Sequence, residues 1–192
     1  VIRKISNNPC TGTVLPKNSK PKVEIYDLEE IQKMLDAAKG TDMYFPLLLE
    51  ISVGFRRGEL LALTWDDIDL ENGIIHIRRN YVRTTQGMIT KQPKSAAGIR
   101  DVHIGENLID ACKLAYARYQ DDKEDTTQKF YDTRLVVRQK NGKPYRPDSW
   151  TQKWERFVKY HNLKHIKFHA LRHSYTSVML QAGISPKVMQ ER

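Results

Sequence analysis

The sequence predicts a mainly helical α+β domain carrying one small antiparallel sheet. Three observations lead there. Apolar residues recur at helical spacing through most segments. The alternating apolar runs are short, and most fall between residues 73 and 104. A chain of 192 residues with 40% hydrophobic content is long enough for one domain with a sizeable core.

Residues 1–22 contain Asn7-Asn8-Pro9, Gly12, Pro16 and Pro21 and show no apolar periodicity, so they read as a linker or tail ahead of a domain over 23–192. Asp27-Leu28-Glu29-Glu30 fits a capping box, and Ile31, Met34 and Leu35 share one face, which predicts a helix over 28–39 closed by Gly40. A second, mostly buried helix is expected from Tyr44 to Val53, and a short third from Arg57 to Leu63 after a break at Gly54. Trp65–Asp69 turns the chain. Gly73–Asn80, Met88–Lys91 and Ile99–Ile104 supply the sheet, with Gly87 and Gly98 at or near its turns. Leu108, Cys112, Ala115 and Tyr119 mark the next helix, and Asp121–Gln128 reads as a loop. Leu135–Val137, the Asn141-Gly142 turn and Pro144 suggest a brief hairpin. Trp150, Trp154, Phe157 and Val158 mark another helix, and His169–Gln181 the next. Gly183 ends that one before a last helix from Ser185-Pro186.

The formal net charge of +9 points toward a polyanionic partner, and the distribution of charge sharpens the case. No acid falls between Glu71 and Asp101, within Arg134–Arg146, or after Glu155 before Glu191, although all three stretches are rich in Lys and Arg. Such segregation suits a face that neutralises phosphates and releases counterions. Cys10 and Cys112 form no C-x-x-C pair, which argues against a disulfide scaffold or cysteine zinc site and favours a reducing, cytoplasmic setting. The longest apolar stretch, Tyr44–Val53, is interrupted by Pro46, Glu50 and Ser52 and is too short to span a bilayer, so no membrane partner is expected.

Two motifs carry chemistry. Gly54-Phe55-Arg56-Arg57-Gly58-Glu59-Leu60 lies far upstream of His169-Ala170-Leu171-Arg172-His173, where an imidazole and a guanidinium at i, i+3 share one helix face and can converge on an anion. With Lys94-Ser95 between them, these motifs resemble, in order, the catalytic signature of the tyrosine recombinases, the phage and transposon integrase family. The resemblance spans most of the chain. It implies the recombinase catalytic-domain fold and site-specific DNA recombination or integration in a bacterial cell, by metal-independent phosphodiester transesterification without a cofactor.

Residue by residue, the resemblance makes Arg56 and Arg172 the two phosphate-binding arginines, since a guanidinium fork engages two oxygens at once. It makes His169 a proton-transfer or phosphate-binding group and Lys94 the general acid toward the leaving 5′-oxygen, with Lys91 as rival. Glu59 resembles the family's acidic partner and would orient an arginine. Arg57, Arg78, Arg79, Lys91 and Arg100 are expected DNA contacts. The family's tyrosine nucleophile is expected beyond Arg192, which leaves 23–192 as a partial catalytic domain that binds but does not cleave alone. Residues 1–22 would then follow a core-binding domain outside this sequence. Tyr175, one turn from Arg172, is expected to pack. Duplex DNA is the expected partner, with self-association on DNA in the full-length protein.

Three alternatives stand beside this reading. A type IB topoisomerase uses similar chemistry, but the Gly54-Phe55-Arg56-Arg57-Gly58-Glu59-Leu60 form is more integrase-like. His161, His165, His169 and His173 recur every four residues and would gather around zinc if one helix were continuous, but Asn162-Leu163 and Ile166-Lys167-Phe168 suggest a fresh start near His169, so no metal site is expected. The third is a non-catalytic DNA-binding regulator on a recombinase scaffold.

Overall fold

The structure, a computed structural model, describes residues 12–13, 23–84, 87–91 and 98–183, with backbone alone for 83–84 and 87–91. The Lys94 turn, the last helix expected from Ser185-Pro186 and most of the linker lie outside these residues.

Helix α1 (Leu28–Ala38) starts as expected: the Asp27 carboxylate accepts from the Glu30 N–H, and Glu30 accepts from the Asp27 N–H. Helix α2 (Tyr44–Val53) ends at Gly54, whose φ of 68° is the left-handed conformation glycine adopts at low cost. A Cβ there would also collide with the Tyr175 ring. Helix α3 (Arg57–Ala62) follows, then a 3-10 turn over Trp65–Asp67.

The β structure forms two units rather than one. Strands β1 (Ile68–Asp69), β2 (Ile74–Ile77) and β5 (Arg100–His103) form an antiparallel sheet in the order β1-β2-β5, with Ile75 opposite Val102. Strands β3 (Asn80–Thr84) and β4 (Gly87–Lys91) form a separate hairpin. β3 escaped the sequence reading because Asn80-Tyr81-Val82-Arg83-Thr84 lacks apolar alternation. Backbone pairing and packing on α3 hold it instead.

Helix α4 (Glu106–Glu124) runs past the loop expected from Asp121. Its polar last turn is tied from outside, by Asp122 to Arg138 and by Lys123 to Asp132. The expected 135–144 hairpin reduces to two isolated bridges, Thr64 with Leu135 and Arg138 with Pro144. Helices α5 (Pro147–Tyr160) and α6 (Ala170–Gln181) complete the described chain. No described helix is long and apolar enough to cross a membrane.

One apolar core joins these elements, with Met34, Leu47, Phe55, Leu60, Ile75, Trp150, Trp154 and Leu171 fully enclosed. Two polar ties in it hold α6 and the segment before it. The Trp154 indole N–H donates to the Ile166 carbonyl, ahead of α6, at 2.8 Å, and the Tyr26 N–H donates to the Ser174 hydroxyl within α6 at 2.9 Å.

Candidate phosphate-binding site

Arg56 precedes α3 in extended backbone and Arg172 lies in the first turn of α6, and packing of α6 on α2 brings them together. The Arg172 guanidinium donates to the carbonyl oxygen of Gly54, two residues before Arg56 and 118 before itself in the chain. Phe55, between them, is fully buried and anchors the loop. Gly58 matters for the same reason: a Cβ there would overlap the Asn80 carboxamide and reach within 2.8 Å of the Tyr81 carbonyl, so only glycine lets α3 sit this close to β3.

Glu59 is the organising acid. Its side chain is 2% exposed, and it accepts from Arg56 Nη1 at 2.6 Å, from the Arg56 backbone N–H at 2.9 Å and from Arg100 Nη2 at 2.9 Å. Burial pushes its carboxyl up, but the Arg100 hydrogen bond, the Arg56 N–H and the Arg100 charge outweigh this and hold it below the usual value.

Arg100 is therefore not a surface cation: its side chain is 10% exposed and faces Glu59. Expected as a DNA contact, it forms an internal ion pair. Arg79 is likewise engaged with Asp67 and Thr64, and Arg78 with Asp101 and His76. Stretches free of acid in the chain thus meet acids from elsewhere in space; Arg134 with Asp66 and Lys164 with Glu30 repeat the pattern. Arg57 remains beside the site, donating to the Thr151 hydroxyl of α5 at 2.6 Å. Lys91 is described only as backbone in β4, and Lys94 lies outside the described residues.

His169 caps α6 and is exposed, with its ring centroid 5.4 Å from that of His173. Partial burial, then the nearby charges of His173, Arg172, Arg56 and Arg57, depress its pKa below the ordinary value. Burial and the neighbouring Arg100 lower that of Arg172, which stays charged across the physiological range. Arg56, Arg57, Tyr81, Thr151, Lys167 and His169 line a cavity of about 650 Å³ beside these groups. Thr151 was not identified from sequence, and α5 gave no signal that it would face α3.

The histidine series is broken. Helix α5 ends at Tyr160, Asn162 takes a φ of 49° and α6 begins after His169, so the four rings do not share a helix. Among the described residues no group of three or more His, Cys, Asp or Glu is arranged to hold a metal. Tyr175 is buried, with its ring against Gly54.

Comparison with known proteins adds a family. A family model described as the phage integrase family matches residues 25–192. The chain is 27% identical to a XerC-like tyrosine recombinase of Caldanaerobacter subterraneus subsp. tengcongensis, over 97% of its own length and 52% of the relative's. It is 29% identical to the transposase from transposon Tn916 of Enterococcus faecalis, over 92% and 46%. The chain thus spans about half the length of these relatives. Among solved structures, the Tn1549 transposon integrase, in complex with a circular intermediate DNA, superposes with a TM-score of 0.75 at 22% identity, covering 92% of this chain and 59% of that one.

Proposed function

Since the chain belongs to the phage integrase family, we propose that it supplies the phosphate-binding and proton-transfer half of a site-specific DNA recombinase, with residues 23–192 as part of the catalytic domain. One observation carries the reading: two arginines far apart in the chain meet around the Gly54–Glu59 turn, beside the cavity that Arg56 and His169 line.

Arg56 and Arg172 would hold the non-bridging oxygens of a duplex phosphodiester and offset the charge that grows in the transition state. The tyrosine hydroxyl of the full-length protein would attack phosphorus, and the bond to the 5′-oxygen would break as a 3′-phosphotyrosyl linkage forms. His169 is suited to take the tyrosine proton, and Lys94 to give one to the departing 5′-oxygen. Glu59 positions Arg56 through a short ion pair, and Arg100 acts through Glu59. Arg57 and Lys167, on the cavity rim, are suited to neighbouring phosphates. Self-association on paired DNA sites belongs to this proposal, as does a cytoplasmic bacterial location.

The test is incubation of the full-length protein with plasmid DNA carrying the element's ends, in EDTA, followed by denaturing gels. A covalent protein-DNA adduct that disappears with Arg172→Ala is expected. Tight duplex binding without any adduct would overturn the enzyme and leave the regulator.

A further inference from the structure

Glu50 is the one acid within α2, and it is fully buried. Its helix neighbours Leu47, Leu49 and Val53 are buried and apolar, so packing alone calls for leucine at this position. Neither carboxyl oxygen has a hydrogen-bond partner among the described residues. An unpartnered buried carboxyl costs stability, and each such case calls for an explanation.

Its place in the fold suggests one. Glu50 lies one turn before Gly54, and its own carbonyl accepts the Gly54 N–H at 2.8 Å. The Gly54 carbonyl in turn accepts from Arg172. The Arg172 guanidinium is thus held at the α2 cap, one turn beyond Glu50, and α6 packs along α2 there. We propose that Glu50 is a positioning residue for Arg172, the inner carboxyl that competes with a substrate phosphate for this guanidinium. The inference rests on the phosphate-clamp reading of Arg172.

Two acids then divide the work. Glu59 is ionised and engages Arg56 and Arg100. Burial is the dominant influence on Glu50 and pushes its carboxyl well above the usual range. The charged groups acting on it are Arg172 from α6, Glu59 from α3 and Arg100 from β5; Arg172 and Arg100 favour its ionised form and Glu59 opposes it. α1 and α4 also pack on α2, and the buried thiol of α4, Cys112, is uncharged, its pKa pushed up to about 12. While Glu50 keeps its proton, the Arg172 charge is free for phosphate. Once Glu50 ionises, carboxylate and phosphate compete for one cation.

The experiment measures binding of this chain to a fluorescent duplex by anisotropy from pH 6 to pH 9.5 at fixed salt. The wild type is expected to lose roughly tenfold in affinity as pH rises across that range, the scale of one charge-assisted hydrogen bond. Glu50→Gln, which cannot ionise, should lose that pH-dependent part. Arg172→Ala, measured in parallel, should lose it as well, so the inference stays testable if Glu50→Gln folds poorly. A Glu50→Gln profile parallel to the wild type would overturn the inference, as would an Arg172→Ala profile that keeps the alkaline decline. If Arg172→Ala binds as tightly as the wild type at pH 7, the phosphate-clamp reading fails instead.

Discussion

Arg172 donates a hydrogen bond to the carbonyl of Gly54, so the α6 guanidinium is fastened to the C-terminal cap of α2, two residues from Arg56. The loop that presents one arginine is thereby held by the other.

Replacement of Arg172 should separate charge from geometry. Arg172→Lys keeps a cation but loses the fork that can hold Gly54 and a phosphate together. Cleavage by the full-length protein should fall about 10²- to 10³-fold, the usual cost of removing a transition-state donor. Adduct yield in single-turnover reactions measures it, and an active Arg172→Lys variant would refute the assignment.

Glu59→Gln should destabilise the chain by about 3 kcal/mol, because removing one member of a buried pair leaves the other, Arg100, uncompensated. The sign of the pH effect follows from the depressed folded-state pKa. The contribution is complete above the unfolded value near 4.5 and is lost as pH falls through the lower folded value. Urea unfolding from pH 7 down to pH 3 should show the wild-type advantage over Glu59→Gln shrinking toward acid.

Gly58→Ala should cost about 1–3 kcal/mol, since the added methyl meets both Asn80 and the Tyr81 carbonyl. Pairing it with Asn80→Ala should recover only part, because the backbone carbonyl remains in the way. Thermal melts of the four proteins in this cycle decide the point.

His169 should titrate below the ordinary 6.5 in the free chain and move upward on binding duplex DNA, as phosphate charge favours the imidazolium. Because its folded value is depressed, the stability it contributes is present above 6.5 and is lost as pH falls through the lower value. NMR of the ring Cε1–H follows both states. A midpoint unmoved by DNA would remove His169 from the phosphate site.

The helices with clear apolar faces and end signals were readable along the chain. Asp27 with Glu30 marked the start of α1, and Gly54 the end of α2. The polar last turn of α4 and the β3 strand were not, since Asp122 and Lys123 gain their partners from residues 132–138 and β3 leans on α3. The motif residues Arg56, Glu59, His169 and Arg172 were identified through the resemblance of their motifs to the family's signature. Their company was not: Thr151 entered through α5 packing, and Glu50 was seen only as a break in an apolar run.

Charge tells the same story at larger scale. Acid-free stretches and the two arginine motifs are properties of the linear chain, and they already pointed to a phosphodiester. Whether a given arginine meets solvent or a carboxylate depends on which distant segment folds against it. Arg78, Arg79 and Arg100 sit in a basic stretch yet pair with Asp101, Asp67 and Glu59, whereas Arg57 donates to the Thr151 hydroxyl. Local patterns of residue type encode helix ends and chemical repertoire because they act over a few residues. Partnering of charges is a long-range outcome of packing, set where α2, α3, α6 and β5 converge.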